Sequence, residues 1–189
     1  MIKPEQLDAI RETINISAAQ GANALSYLLG CRVDMEFPEI RIVPYQEVKE
    51  VLRKETEKFA SFFSNFEKSF KGVILAVYDE EEREKIVKMI EERYGVSTDK
   101  ESLFEEISNI IFGAFVGGLA NLTGISVSLT PPKRLEDPSE IAKFEDPFVI
   151  MGKVVLVPEI NGKMTAKIIS IPTQGSISLL LDSLRRLLG

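Results

Sequence analysis

Glu12-Thr13-Ile14-Asn15-Ile16 recurs as Glu106-Ile107-Ser108-Asn109-Ile110, and the acid and the amide are both displaced by 94 residues. The register persists outward from this pair. Leu25, Leu28, Gly30 and Val33 meet Leu119, Leu122, Gly124 and Val127 at the same offset, and far downstream Ile74, Val77 and Ile90 meet Ile168, Ile171 and Leu184. One register kept across a 189-residue chain is the signature of an internal duplication. The sequence therefore reads as a single domain over 1–189 made of two repeats, 1–95 and 96–189.

Each repeat reads as a helix, then strands, then a helix. Pro4 to Leu29 carries Leu7, Ile10, Ile14, Gly21, Leu25 and Leu28 at helical spacing, with Pro4 in the first turn and Gly30 at the stop. Arg32 to Phe37 alternates and ends at Pro38, with Glu39 to Val43 as an extension of it; Gln46 to Lys54 is ambiguous. Phe59 to Glu67 and Lys71 to Tyr78 read as strands, and the acidic run Asp79 to Glu82 opens a helix to about Arg93, acids suiting its positive end. In the second repeat a helix runs from about Lys100 to Leu122 and stops at Gly124. Ile125 to Leu129 is a strand ended by Pro131-Pro132, and Pro138 to Phe144 a short helix. Phe148 to Val157 and Lys163 to Ile171 form a hairpin about Asn161-Gly162, and Gln174 to Leu188 closes as an amphipathic helix. The fold class is α+β in two layers, an antiparallel-rich sheet from both halves with helices packed on it. Phe59, Phe62, Phe63 and Phe66 cannot all face one side of a strand.

Composition excludes much chemistry. The chain has no histidine and one cysteine, so a Ser-His-Asp triad, a Cys-His pair and a His/Cys zinc site are impossible. No phosphate-cradling glycine loop is present. A net charge of −6 with no basic run argues against nucleic acid as a partner. The start at Met1-Ile2-Lys3-Pro4-Glu5 lacks an apolar signal core and no 18-residue apolar stretch stands out, so no membrane partner and a cytoplasmic location are expected. Cys31 reads as a small apolar filler.

Helical geometry puts i, i+3 and i+4 on one face. Asp8, Glu12 and Asn15 form a stripe continued by Ala19, Ala22 and Ser26, with Ile10 and Ile14 facing the core. The second copy gives Ser102, Glu106, Asn109, Gly113, Val116 and Ala120. An acid and an amide one turn apart, followed by small side chains, suit a surface that another protein approaches closely. Mid-helix asparagine is uncommon because its side chain competes for backbone hydrogen bonds, so its repetition carries weight.

The pattern Asp/Ser-x3-Glu-x2-Asn, followed about 22 residues later by Pro, resembles the CheC/CheX/FliY phosphatases of chemotaxis. The first copy supplies Asp8, Glu12, Asn15 and Pro38, the second Ser102, Glu106, Asn109 and Pro131. The duplicated, linkerless layout is most like CheC. The resemblance implies dephosphorylation of a phospho-aspartyl, CheY-like response regulator, with Asn15 and Asn109 orienting the attacking water and Glu12 and Glu106 pairing with the receiver's lysine. It implies no cofactor of the chain's own, Mg²⁺ being carried by the receiver, and a CheD-like receptor deamidase as a further partner. A non-catalytic adaptor that binds a receiver or a deamidase, akin to flagellar switch proteins, is the competing reading. Where the family commonly has Asn-Ile-Gly-Ala-Gly, this chain has Asn15-Ile16-Ser17-Ala18-Ala19, whereas Gly113 follows Asn109 four residues on. The second site is therefore expected to be the stronger.

Overall fold

A computed structural model describes residues 3–47, 49, 59–136, 141, 148–158 and 164–188. Their order is α1 (Pro4–Leu29), β1 (Val33–Pro44), β2 (Phe59–Lys68), β3 (Gly72–Asp79), α2 (Glu80–Tyr94), α3 (Lys100–Thr123), β4 (Val127–Leu129), β5 (Lys133–Arg134), β6 (Phe148–Pro158), β7 (Met164–Pro172) and α4 (Gln174–Leu188). Gly30 and Gly124, 94 residues apart, end α1 and α3 in the same left-handed conformation, φ 65° and 67°. Asp79 caps α2 by accepting from the N–H groups of Glu81 and Glu82, so the acidic run begins a helix as read.

The strands form one antiparallel sheet in the order β1-β6-β7-β3-β2-β4, with β5 also on β2. Exchanging each strand for its counterpart in the other half (β1 with β4, β2 with β6, β3 with β7) reverses this order and leaves it unchanged. At the centre, Leu75 on β3 stands opposite Ile169 on β7, a pair separated in sequence by the repeat offset. The first strand of each half pairs with the hairpin of the other, so neither half closes a sheet alone.

The main core lies between one sheet face and the helices. Ile10, Ile14, Leu25 and Leu29 of α1, Phe104, Ile107, Ile111 and Phe115 of α3, Ile86 and Ile90 of α2, and Leu180 and Leu184 of α4 all bury there against Phe37, Phe62, Phe66, Ile74 and Ile168. The opposite face is not left to solvent: Val43, Tyr45, Val73, Leu75, Val77, Ile141, Val149, Ile169 and Ile171 form a second buried cluster. The four phenylalanines of β2 divide accordingly. Phe62 and Phe66 enter the main core, and Phe59 and Phe63 pack on the second. A strand buried on both faces has no need of one-sided alternation.

Three elements refine the sequence reading. The extension read from Glu39 to Val43 is present: β1 passes Pro38 through a bulge between Glu36 and Glu39 and runs on to Pro44. β1 is an edge strand, where a residue without an N–H costs no interior ladder bond. β4 ends at Leu129, before Pro131-Pro132, as read, and beyond the prolines Lys133 and Arg134 add β5, which the sequence reading lacked, opposite Phe63 and Phe62. Last, α3 is long and apolar enough to span a membrane, yet most of that stretch is buried within the fold, so it is a core helix. The helix read at Pro138 to Phe144, apart from the buried Ile141, and the Asn161-Gly162 turn fall outside the described residues.

α1 and α3 approach closely. A Cβ added at Gly118 would lie 2.6 Å from the Ile14 Cα, whereas one at Gly117 would meet nothing within 4 Å. Gly118→Ala is expected to destabilise by about 1–2 kcal/mol, overpacking outweighing the gain in helix propensity. Gly117→Ala should stabilise by up to ~1 kcal/mol through propensity alone. Thermal midpoints of the two variants moving in opposite directions would verify the crossing.

A charged knot ties the halves together. Arg83 of α2, its side chain wholly buried, donates to Glu80 at 2.7 Å and to Glu101 of α3 at 2.8 Å, and Arg134 of β5 reaches the same Glu101 oxygen at 2.6 Å. Its guanidinium lies 4.7 Å from the Phe104 ring centroid and 5.3 Å from that of Phe62. Lys100 adds ion pairs to Glu80 and Glu84.

Candidate functional site

The two Glu-x-x-Asn pairs lie on the long first helix of each half, and helical spacing puts acid and amide on neighbouring turns. Glu12 and Glu106 are exposed, as are Asp8 and Ser102. Asp8 is ion-paired to Arg11 at 2.9 Å. The Ser102 N–H donates to Asp99, the N-cap of α3, at 2.7 Å, and hydrogen bonding from the Ser102 hydroxyl first, then from this N–H, holds the Asp99 carboxyl below its usual pKa. Ile10 and Ile14 face the core as read.

The two asparagines differ. The Asn15 carboxamide is engaged on all sides: Nδ2 donates to the carbonyls of Arg11 and Phe37, each at 3.0 Å, and Oδ1 accepts from the Phe37 N–H at 2.7 Å. Phe37 immediately precedes Pro38 in the β1 bulge, which explains why the proline belongs to the pattern: it marks the segment that the amide holds. Asn109 is exposed, and its carboxamide makes no hydrogen bond with another described residue. The segment corresponding to Phe37 is secured in another way. Thr130 pairs through its N–H with the Asn65 carbonyl at 2.9 Å, the Asn65 N–H donates to Thr130 Oγ1 at 3.0 Å, and Ser64 Oγ donates to the Thr130 carbonyl at 2.7 Å. At the repeat offset Phe37 corresponds to Pro131, which has no N–H to offer the Asn109 amide, and β2 supplies the bonds of Thr130 beside it. Nothing in the spelling of either motif signals Ser64, Asn65 and Thr130, because strand neighbours are far apart in sequence.

The stripes beyond the asparagines also diverge. Gly113 is exposed, with open space where a Cβ would stand, so the surface next to Asn109 is clear. Val116, however, is 3% exposed and leaves the second stripe, because α3 is buried almost all round from Ala114 to Leu119. In α1, Ala19 is exposed and Ser26 is spent on bonds to the Ala22 carbonyl and the Val33 N–H. The first site has an apolar neighbour that the stripe did not include: Ile16, 66% exposed, one residue past Asn15. At the repeat offset Pro38 corresponds to Pro132, which is buried, while Pro131 beside it is exposed.

No protein-family model matches the chain. Over 139 residues, 70% of this chain, it is 27% identical to the CheY-P phosphatase CheC of Bacillus subtilis, and the match covers 66% of that protein. Over 132 residues, 67% of the chain, it is 24% identical to the flagellar motor switch phosphatase FliY of the same organism, covering 34% of it. The matches thus span less than two thirds of either relative's length. Among solved structures, FliY of Thermotoga maritima superposes with a TM-score of 0.74 at 21% identity, covering 98% of both chains. CheX, solved in complex with CheY, BeF3 and Mg²⁺ from Borrelia burgdorferi, gives 0.53 at 16% identity over 86% of this chain and 97% of that one. The chain is thus homologous in sequence to CheC and FliY and shares the fold of FliY and CheX.

Proposed function

We propose that the chain is a phosphatase of phospho-aspartyl, CheY-like receivers, working in the cytoplasm. The observation that carries this reading is Asn109: an exposed carboxamide with no partner among the described residues, one turn after the exposed Glu106, on a helix face that Gly113 leaves open. A structural asparagine would be expected to use its amide, as Asn15 does. The relative's name, a CheY-P phosphatase, supplies the substrate class.

The chemistry asks little of the chain. The receiver brings its phospho-aspartate, Mg²⁺ and lysine, so no metal or nucleophile of the phosphatase is needed. The Asn109 carboxamide holds a water in line with the phosphorus, as an inserted glutamine does in GTPases. The water oxygen bonds to phosphorus, the bond from phosphorus to the aspartyl oxygen breaks, and a free carboxylate and inorganic phosphate result. Glu106 pairs with the receiver's lysine and sets the amide's approach. Glu12 and Asn15 form the second such pair.

The test is to mix the protein with phosphorylated receiver and time the release of phosphate. Acceleration supports the reading. Binding without acceleration would make the chain an adaptor instead, a role in which Asn109 has no task. The resemblance also brings a CheD-like deamidase into the proposal as a second partner, to be tested by its own binding titration. Docking has a separate prediction. Glu106→Lys should weaken binding to a BeF3-activated receiver by roughly tenfold, and added salt should weaken the wild-type complex, as for charge-steered association. Titration calorimetry reads both, and an unchanged affinity would remove Glu106 from docking.

A further inference from the structure

We propose that the first Glu-x-x-Asn site is latched at rest, and this rests on the phosphatase reading given above. Among the described residues β1 is the edge strand of the sheet, with β6 on one side and no strand on the other. The Asn15 carboxamide takes the place of that missing neighbour, presenting an acceptor to the Phe37 N–H at 2.7 Å and a donor to the Phe37 carbonyl at 3.0 Å, as a paired peptide would. Its second amide hydrogen goes to the Arg11 carbonyl at 3.0 Å, so both donors are spent.

Phe37 cannot yield instead. Its side chain is fully buried, with its ring centroid 5.5 Å from that of Phe115. For the carboxamide to reach a phosphoryl group it has to leave the Phe37 backbone, and the free edge of β1 then loses both bonds. Asn109 has no such bond to break, because the counterpart of Phe37 is Pro131, which has no N–H, and Thr130 beside it is held by Ser64 and Asn65. Glu12 and Ile16 stay exposed in the latched state, so docking remains possible at the first site while its water-holding group is withheld. The second site is open at all times, and the first turns over only in the fraction of molecules whose latch has opened.

The experiment compares Asn15→Ala, which leaves only the second site, with Asn109→Ala, which leaves only the first. In phosphate-release kinetics the Asn109→Ala protein should show kcat at least tenfold below that of Asn15→Ala, with KM for the phosphorylated receiver similar in both. In hydrogen exchange on the free proteins, the Phe37 amide should be slow in the wild type and in Asn109→Ala, and at least tenfold faster in Asn15→Ala. Equal kcat in the two variants, or a Phe37 amide that already exchanges fast in the wild type, would overturn the latch. If none of the proteins releases phosphate, the phosphatase reading fails, and the exchange of Phe37 still decides whether Asn15 clamps β1.

Discussion

Phosphate release stimulated by the chain is expected to fall by about 10²–10³-fold when Asn15 and Asn109 are both replaced by Ala, the size of loss seen when a preorganised hydrogen-bonding group is removed from a reacting centre. The receiver's own residues and Mg²⁺ remain, so the slow intrinsic loss of phosphate should persist as a floor. Binding to a BeF3-activated receiver should survive, because Glu12 and Glu106 are untouched and exposed. Loss of turnover with retained affinity separates water positioning from docking. The double variant is not neutral for stability, since Asn15 holds the Phe37 backbone through two hydrogen bonds. Net contributions of about 1 kcal/mol per bond place the cost near 1–3 kcal/mol, so the assay should be run well below the variant's own thermal midpoint. If that variant, shown to be folded, released phosphate at the wild-type rate, the role of the amides would be disproved.

The second large effect concerns the fold. Glu101→Ala should destabilise the protein by roughly 2–4 kcal/mol, at the lower end of the range for breaking a buried pair because Glu101 is itself partly exposed. Arg83 is wholly buried and would keep only Glu80, and Arg134 would lose its partner on α3. The same residue confers acid sensitivity. Burial opposes ionisation of Glu101, but the hydrogen bonds and charges of Arg83 and Arg134 outweigh it and hold its pKa below the usual 4.5. A carboxyl depressed on folding contributes stability that is fully present above 4.5 and is lost as pH falls through its lower folded value. The thermal midpoint should therefore drop as pH is lowered below about 4.5, by less in Glu101→Gln, which starts lower. Identical pH profiles in wild type and Glu101→Gln would show that other carboxylates govern the acid limb.

Much of the architecture was legible in the amino-acid sequence because the signals are local. α1 and α3 were marked by apolar spacing and by glycines 30 and 124 at their ends, the α2 start by Asp79, and the β2–β3 and β6–β7 pairs by their apolar runs. What the sequence left open depended on the neighbours. Pro38 separates Arg32 to Phe37 from the extension at Glu39 to Val43, and the two join as one strand because at the edge of a sheet a missing N–H costs nothing. The phenylalanines of β2 looked incompatible only while one face of the sheet was assumed to be covered.

The candidate site divides along the same line. The Glu-x-x-Asn pairs, their 94-residue offset and their placement on one helix face follow from sequence, since helical geometry converts spacing into direction. Whether an amide on that face is available does not, because it depends on what the next strand has already bonded. Asn15 and Asn109 occupy matching positions in the two copies, yet Asn15 is spent on the free edge of β1, whereas the counterpart of Phe37 is Pro131, without an N–H, beside a Thr130 bonded to Ser64 and Asn65, which precede it by 66 and 65 residues in the chain. Spacing along a helix is settled within a few turns of backbone, whereas the competition for a buried peptide's hydrogen bonds is settled only when distant strands meet.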